Sequence, residues 1–434
     1  MTRRERIVVG SILAVALVLR VAWVLYAARL PGGGLHDPNF YYLYGEQMSR
    51  GLGYRLLDQS PTAYYPPGYP FSLVPFFWLG IHTPLHHFRN VEVGIVATTN
   101  IAYSLITIAL AFLIARRVTG RSLAGYIAAG ALALWPNLIF HTAVALTETL
   151  FLLLLLVIVW LVVSAPWDEA RWELWRLVTV GLVLGAATLV RPVTIPLAPA
   201  LLVVLLLARL GWRRALASTA LVVVAAVGVL LPWAIRNSIV MHQLTLSTNT
   251  GDNLCMSRYV GGTGAFEFPN DRCFPERFTH IPRPQAETQR DAYGRHLAIE
   301  FVKDHPGEEL RLEARRFGHT FNDDADGLAA VESYGDDPFM SRGTRDLLRR
   351  TATTYGAVLA LVGLGGLVVL TARRTPSSIF LVLTAIGMII PPLVFFGDPR
   401  FHVPAVPIVA IAAGVLVAAA GDRYRLGGVT ARTT

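Results

Sequence analysis

Charged side chains are scarce in this chain of 434 residues: they make up 15% of it, whereas hydrophobic residues make up 54%. So few charges could not cover the surface of a water-soluble protein of this length. The apolar residues stand in long blocks such as "IVVGSILAVALVLRVAWVLYAA", and about 20 apolar residues are enough to cross the hydrocarbon core of a bilayer. The composition excludes a soluble globular domain and predicts an all-α, multi-pass membrane protein.

Lysine is nearly absent, and Lys303 is the only one. The basic residues are arginines in short loops between apolar blocks, with pairs at Arg116 and Arg117, Arg213 and Arg214, and Arg373 and Arg374. In a soluble protein a net charge of +9 would suggest nucleic-acid binding, but this placement follows the positive-inside rule for cytoplasmic loops. We therefore predict the lipid bilayer, and no nucleic acid, as a partner.

Ten apolar blocks predict membrane spans: 7–28, 91–115, 122–140, 147–164, 177–191, 193–208, 215–234, 352–372, 377–396 and 402–420. The first block is too long for a signal peptide, so we expect an uncleaved span. With the amino terminus in the cytoplasm, the arginine-rich loops lie inside. The predicted units are an N-terminal membrane module (1–234) with a long outer loop (29–90), an extracytoplasmic loop domain (235–351), and C-terminal helices with a short cytoplasmic tail (352–434).

The loop domain predicted at 235–351 carries most of the acidic residues and both cysteines, Cys255 and Cys273. Its apolar periodicity predicts two helices that are broken near Pro306. In an oxidising compartment the two cysteines could form a disulfide that closes a loop of roughly 20 residues, worth about 3 kcal/mol in the chain-entropy model. Free thiols are the alternative, and we favour the disulfide.

A carboxylate follows the first span in "GLHDPNFYYLYGEQMSRGLGYR", which begins at Gly34. Asp37 precedes Pro38, as an N-cap residue would. Phe40, Tyr41 and Tyr44 recur at helical spacing, which is typical of an interfacial helix that turns its aromatic residues toward lipid. In this interpretation, Asp37 only caps a helix.

Four more charged residues stand at the outer ends of predicted spans: Glu148, Arg191, Arg236 and Arg400. A helix-dipole contact explains the first and snorkelling explains each arginine singly. Together, on the side that carries Asp37, they predict an anion site, because arginine forks match phosphate oxygens. Arg20, inside the first span, could line the same cavity. A lipid phosphate is the obvious anion.

Several motifs along the chain point to one family. They are "HDPNFYYLYGEQMSRGLGY" in the first loop, "YYPPGYPFSLVPFF" after it, "TETLFLLLL", "RPVTIPLAP" and "PWAIRN" at span junctions, "STNTGDNLCMSRYVGGTGAF" in the large loop, and "DPRFHVPAVPIVAIAAG" in the last span. In kind and order they resemble the C-type glycosyltransferase superfamily. The branch most similar is that of the protein O-mannosyltransferases and aminoarabinose transferases.

The resemblance implies an enzyme of the bacterial cytoplasmic membrane that moves a sugar, on the extracytoplasmic face, from a polyprenyl-phosphate donor to a hydroxyl of a glycan, lipid or protein. Asp37 and Glu148 match the family's acidic positions and are the expected catalytic residues. The expected substrate-binding residues are His36, Tyr41, Tyr42, Tyr65, Arg191, Arg236, Asn249, Arg400 and His402. Many relatives carry two adjacent acids in the first loop, whereas His36 and Pro38 flank Asp37 here.

The chemistry of such a transfer suits these residues. Polyprenyl phosphate is a leaving group that needs charge stabilisation, which arginines supply, and a carboxylate base can assist the acceptor hydroxyl in an inverting displacement. A divalent ion, Mg²⁺ or Mn²⁺, held by Asp37 and Glu148 with His36 or His141 is a further option, although no metal-spacing motif is present.

Two other functions stay open on the sequence: a transporter or flippase of a lipid-linked sugar, and a non-catalytic assembly protein of the envelope. Transporters usually carry polar or broken segments near mid-membrane, whereas most unusual charges here lie at the outer boundaries. An assembly protein would leave the carboxylates and arginines unused. The pattern favours an enzyme.

Overall fold

The computed structural model describes residues 1–34, 36–87, 90–167, 172–268 and 271–430. Within these ranges the chain is helical, and its β-structure is limited to two isolated bridges. The helices are α1 (Arg3–Ala27), α2 (Asp37–Ser49), α3 (Gly68–His82), α4 (Val91–Thr119), α5 (Ser122–Leu134), α6 (Pro136–Phe140), α7 (Glu148–Val163), α8 (Leu174–Val190), α9 (Leu197–Leu207), α10 (Trp212–Val240), α11 (Thr250–Cys255), α12 (Arg283–Asp304), α13 (Pro306–Phe321), α14 (Asp326–Val331), α15 (Arg342–Arg373), α16 (Pro376–Val394) and α17 (Val406–Thr430).

Local sequence signals set several helix ends. α1 opens with a capping box in which the Thr2 hydroxyl accepts from the Glu5 amide (3.2 Å) and the Glu5 carboxylate accepts from the Thr2 amide (2.7 Å). Proline stands in the first turn of α2, α6, α13 and α16, where its missing N–H would have no intrahelical partner. α4 ends at Thr119, and its C-cap residue Gly120 has a φ of 70°, in the left-handed region that favours glycine.

Six of the described helices are long and apolar enough to cross a membrane, and the bent pair Ser122–Leu134 and Pro136–Ala143 makes a seventh if it is one span. Three other apolar segments are shorter: Glu148–Val163, Leu174–Val190 and Pro192–Leu207. The predicted all-α, multi-pass architecture is therefore confirmed. All ten predicted spans coincide with these segments, but the three short ones fall below the spanning length, so the count of ten stays a prediction.

The centre of the helix bundle is α17, which packs against α5 and α15. Small residues bring these helices together. A Cβ added to Gly366 of α15 would lie 1.8 Å from the carbonyl oxygen of Ala412, and one on Gly414 would lie 2.2 Å from that of Ala124. Close backbone approach between spans is the usual use of glycine in membranes. It fixes α17, and with it the residues that precede it.

The first long loop contains α2 and α3, which pack against each other. Tyr41, Tyr42 and Tyr44 are buried in the protein: Tyr42 stacks on Phe77 and Tyr44 on Tyr54. The prediction that Tyr41 and Tyr44 turn toward lipid is therefore wrong. Burial against a second helix and the returning loop satisfies the same apolar face, so helical periodicity alone could not distinguish the two.

The segment between α10 and α15, residues 241–341, contains α11 to α14 and is called the loop segment below. Its two main helices, α12 and α13, meet at Pro306 as predicted. Cys255 and Cys273 form the predicted disulfide, with their Cα atoms 5.9 Å apart. Helices α10 and α15, on either side, extend into the predicted loop domain. Residues 431–434 of the predicted cytoplasmic tail lie outside the described residues.

Candidate active site

Glu148 is the first residue of α7 and its side chain is fully buried. Its Oε1 accepts a hydrogen bond from Nη1 of Arg191 (2.6 Å) and another from Nε of Arg400. Arg191 directly follows α8, and Arg400 lies in the turn before α17. The outer-end charges of three predicted spans therefore meet at one carboxylate, which has two guanidinium partners.

Arg400 connects the two predicted catalytic acids. Its Nη1 donates to Oδ2 of Asp37 while its Nε donates to Glu148. The turn that presents it is held by Asp398, whose Oδ1 accepts from the Arg400 backbone amide (2.8 Å). Carboxylates from α2 and α7, which are distant in sequence, thus share one arginine.

Asp37 does not cap its helix. It is the first residue of α2, and no side-chain capping bond is formed there. Instead its Oδ1 accepts from the hydroxyl of Tyr65 (2.8 Å) and its Oδ2 from Arg400. The side chain is 27% exposed, compared with 0% for Glu148. The simple capping interpretation is therefore wrong, and Asp37 is the more accessible carboxylate of the pair.

Tyr65 is fixed by the segment that carries it. The Tyr54 hydroxyl donates to the Tyr65 carbonyl (2.9 Å). Two residues earlier, the Ala63 carbonyl accepts from the Thr248 amide (2.9 Å), and the Ala63 amide donates to the Glu287 carboxylate (3.2 Å). Burial, and then the charge of Asp37, raise the pKa of Tyr65 well above its usual range. The phenol stays protonated and donates to Asp37 throughout the physiological pH range.

Arg191 keeps most of its donors free. Among the described residues, its guanidinium makes a single hydrogen bond, the one to Glu148, and its centre lies 6.0 Å from the ring of Phe151. An arginine has five N–H donors in a planar fork. Those that remain suit an oxyanion such as a phosphate.

Three buried groups next to the acids could hold a metal ion. His141, Glu148 and Asp326 each offer a ligand atom, and these atoms lie within 4.8 Å of one another. Nε2 of His141 stands 3.4 Å from Oδ2 of Asp326, and neither atom has a hydrogen-bond partner in the described part of the chain. Of the predicted ligands, Glu148 and His141 belong to this group. Asp37 and His36 do not, and they pair with Arg400 and Asp336.

Asn137 bonds both to His141 and to residues near Asp326. Its carbonyl oxygen accepts from Nδ1 of His141 (2.7 Å), its Oδ1 accepts from the amide of Gly327 (2.9 Å), and its Nδ2 donates to Asp324 (2.9 Å). Because Nδ1 faces an acceptor, it carries the proton and Nε2 can present its lone pair. Asp326 escaped the sequence analysis, although the acidic run "NDDADG" before α14 was a visible signal.

Other predicted site residues have different partners. Arg236 donates to the carbonyl oxygens of Thr62 (2.6 Å) and Tyr54 (2.8 Å), so it braces the first loop. Both ring nitrogens of His402 face acceptors, the Thr320 carbonyl and the Asp324 carboxylate, at 3.0 Å each. These contacts do not bring either side chain to Glu148.

The other residues predicted to line the site also have different partners. Arg20 donates to Ser104 (2.7 Å) and to main-chain carbonyls of α1 and α5, so it joins helices and does not line the site. Asn249 precedes α11 in the loop segment, and no contact joins it to the acids in the described residues. Tyr41 lies beside Tyr65, with ring centroids 5.4 Å apart, whereas Tyr42 packs on Phe77.

The chain is similar to a known protein family and to solved structures. Residues 72–235 match the family model described as dolichyl-phosphate-mannose-protein mannosyltransferase. The matched stretch contains Glu148 and Arg191. No protein among the curated sequences matches the chain.

Solved structures of an archaeal oligosaccharyltransferase share the fold at low sequence identity. The archaeal oligosaccharyltransferase AglB from Archaeoglobus fulgidus, in complex with an inhibitory peptide and a dolichol-phosphate, superposes with a TM-score of 0.55 and 13% identity over 100% of this chain and 52% of that one. The oligosaccharyltransferase of the same organism in complex with Zn and sulfate gives 0.54 and 16%, over 96% and 50%. ArnT from Cupriavidus metallidurans, bound to undecaprenyl phosphate, gives 0.42 and 17%, over 94% and 77%.

This chain spans about half the length of the oligosaccharyltransferase structures that it matches. Its helices nevertheless align along the whole of it, and the family match falls in the part that carries α7 and α8. The archaeal structures show a shared fold, and the match of residues 72–235 to the mannosyltransferase family model agrees with the resemblance that the sequence motifs indicate.

Proposed function

We propose that this protein is a membrane glycosyltransferase that moves a sugar from a polyprenyl-phosphate donor to an acceptor hydroxyl. The observation that carries the proposal is the Asp37–Arg400–Glu148–Arg191 cluster, in which an accessible carboxylate stands beside two arginines. The archaeal oligosaccharyltransferase that shares the fold was solved with a dolichol-phosphate, which supports a lipid phosphate as the anion. A glycan, a lipid or a protein could supply the hydroxyl.

In the proposed reaction the acceptor oxygen attacks the anomeric carbon as the bond from that carbon to the phosphate oxygen breaks. Asp37 takes the hydroxyl proton, and the phosphate leaves with the bonding electron pair. Arg191 and Arg400 stabilise the charge that develops on it. A single displacement of this kind inverts the anomeric configuration.

Arg400 links donor binding to the base. A phosphate that reaches Arg400 competes with Asp37 for the same guanidinium, because one Nη1 donor now serves the carboxylate. Binding of the donor would weaken this ion pair and free Oδ2 to accept the acceptor's proton. Tyr65 would meanwhile keep the carboxylate oriented through Oδ1.

A divalent metal fits the His141–Glu148–Asp326 group, because Nε2 of His141 and Oδ2 of Asp326 are buried 3.4 Å apart and neither has a hydrogen-bond partner among the described residues. One nitrogen and two oxygens suit Mn²⁺ better than Mg²⁺, which prefers oxygen ligands alone. When bound, such an ion would supply positive charge for the departing phosphate. Asn137 would hold His141 in the tautomer that binds metal.

The proposed location is the bacterial cytoplasmic membrane, with the cluster on the extracytoplasmic side. The arginine-rich short loops support this orientation through the positive-inside rule. The disulfide supports it as well, because such bonds persist in oxidising compartments.

The test is sugar transfer from a radiolabelled polyprenyl-phosphate sugar by the purified protein in detergent, with Asp37→Asn as the variant. We expect turnover to fall by about 10²- to 10⁴-fold, as the loss of a general base predicts, while the melting temperature changes little. Asp58→Asn is the matched control, because Asp58 lies in the same loop but pairs with the surface residue Arg283.

Each outcome decides between functions. Near-normal turnover in a folded Asp37→Asn variant would move the base to Glu148. Movement of intact donor across proteoliposomes without transfer to any acceptor would favour a transporter. A protein that neither transfers nor transports the donor would be an assembly factor.

A further inference from the structure

Helix α13 turns a mostly polar side toward the protein and an apolar side outward. Its buried residues are mostly polar: Glu309, Arg316 and Thr320 are at most 7% exposed, and Leu312 is the one large apolar residue among them. The opposite side is apolar and exposed, with Leu310 at 68%, Phe317 at 49% and Phe321 at 43%. A helix on a soluble domain turns its apolar side inward, so α13 faces something other than water.

The exposed apolar residues form one continuous face. Leu310, Ala314, Phe317, Gly318 and Phe321 are spaced by three or four positions and are all exposed, so they lie along one side of the helix. We call this set the apolar face of α13. Arg311 and Arg315 border it on one edge. Arg311 pairs with Glu308, and Arg315 donates to the Gly262 carbonyl (2.8 Å), so only their remaining N–H donors can reach lipid phosphates.

The buried side of α13 attaches the helix to the end of a membrane span. Arg316 donates to the Leu393 carbonyl (3.2 Å), and Arg258, which shares Glu309 with it, donates to the Val394 carbonyl (2.6 Å). Both carbonyls belong to the last turn of α16, which is long and apolar enough to cross a membrane. α13 therefore lies at the level where a span reaches the membrane surface.

The exposed surface of α16 leads to the same place. Ile386, Ile390 and Val394 are spaced by four residues and are 40–55% exposed, which is the pattern of a lipid-facing stripe. The stripe ends at Val394, next to the attachment of α13. The lipid-facing surface of the span is thus continued by the apolar face of α13.

We propose that the apolar face of α13 lies in the membrane leaflet on the side of the loop segment, in contact with lipid acyl chains. An amphipathic helix with basic residues at its border binds a membrane in this way. The Glu309–Arg258–Arg316 cluster then holds the loop segment to the bilayer surface from the other side of the same helix. This inference does not depend on the chemistry of the active site.

Site-directed spin labelling of the full chain in lipid nanodiscs tests the proposal. Single cysteines replace Leu310, Phe317 and Phe321, with Lys303→Cys on α12 and Arg311→Cys as controls, since the two native cysteines are paired. Collisions with dissolved oxygen report lipid, and collisions with a nickel chelate report water. We expect a high ratio of oxygen to nickel accessibility at the three apolar positions, an intermediate ratio at Arg311 on the border of the face, and a low ratio at Lys303.

Two results would overturn it. High nickel accessibility at all three apolar positions would show that the face lies in water. Low accessibility to both reagents would show that a protein surface covers it, either a second copy or a partner. If a labelled variant loses the gel-filtration profile of the wild type, Ala314→Cys and Gly318→Cys report on the same face with less loss of apolar volume.

Discussion

Two buried clusters in this protein have the same composition, a glutamate between two arginines. One is Arg191–Glu148–Arg400 in the candidate site, and the other is Arg258–Glu309–Arg316 beneath α13. In each, a carboxylate accepts from both guanidinium groups. The formal chemistry is identical, so the partners around each cluster must set what it does.

The two clusters differ in what binds the arginine N–H donors that the glutamate does not use. Beneath α13 they are used: Arg258 and Arg316 also bond to Ser257 or to the carbonyls of residues 393–395. In the candidate site Arg400 reaches a second, partly exposed carboxylate, and Arg191 has N–H donors that bind no other described residue. A saturated cluster joins elements, whereas an unsaturated one can bind a ligand.

The largest effect is expected where the saturated cluster loses its anion. Glu309→Gln leaves two buried arginines without a counter-charge, which destabilises a protein by about 3–5 kcal/mol. Thermal unfolding of the solubilised protein should show this loss, while turnover per folded molecule stays near that of the wild type. Lost turnover at unchanged stability would contradict the assignment of this cluster as structural.

Arg191→Ala sharpens the comparison from the other side. Removal of an arginine that contacts a buried donor phosphate should weaken donor binding by about 2–5 kcal/mol. The expected change is in the donor KM or Kd, measured by titration at fixed acceptor. Arg50→Ala, at a surface arginine paired with Glu46, is the control. Equal donor affinity in both variants would remove Arg191 from the binding site.

A third buried glutamate shows what happens without an arginine bonded to it. Glu287 accepts from Thr248 (2.8 Å) and from the amide of Ala63 (3.2 Å), and burial raises its pKa. An acid whose pKa is higher in the folded state binds protons more tightly there. Stability should therefore fall as pH rises from the ordinary glutamate value through the raised one.

The substitution Glu287→Gln tests this point and is expected to have the smallest effect. A glutamine oxygen can still accept from Ala63 and Thr248, so the first loop stays held, but the titrating group is gone. Melting curves between acidic and neutral pH should show a smaller decrease in stability for the variant than for the wild type. An unchanged pH dependence would assign it to other groups.

The sequence predicted well wherever one local signal determines the outcome. The apolar blocks coincide with helices, Pro306 breaks the loop helices, and the two cysteines pair. The motifs also selected Asp37, Glu148, Arg191 and Arg400, which the structure brings together although up to 363 residues separate them. Family motifs carry such long-range information, whereas periodicity does not.

The failures have a common physical cause. Periodicity shows that a helix has an apolar face but not what covers it, so the tyrosines of α2 were assigned to lipid when they pack on protein. Similarly, an arginine at the end of a span can bond to a carboxylate or to a carbonyl. Arg236 bonds to carbonyls and Arg400 to carboxylates, and only the folded neighbourhood determines which.

The position of Arg400 has a consequence for biosynthesis. Arg400 is made 252 residues after Glu148 and 363 after Asp37, which at ribosomal speed is a delay of about 10–50 s for the shorter interval. During that time Asp37 and Glu148 have entered the membrane region without the arginine that joins them. The α16–α17 hairpin therefore completes the charge balance of the first loop. We expect a nascent protein to stay inert toward its substrates until that hairpin inserts.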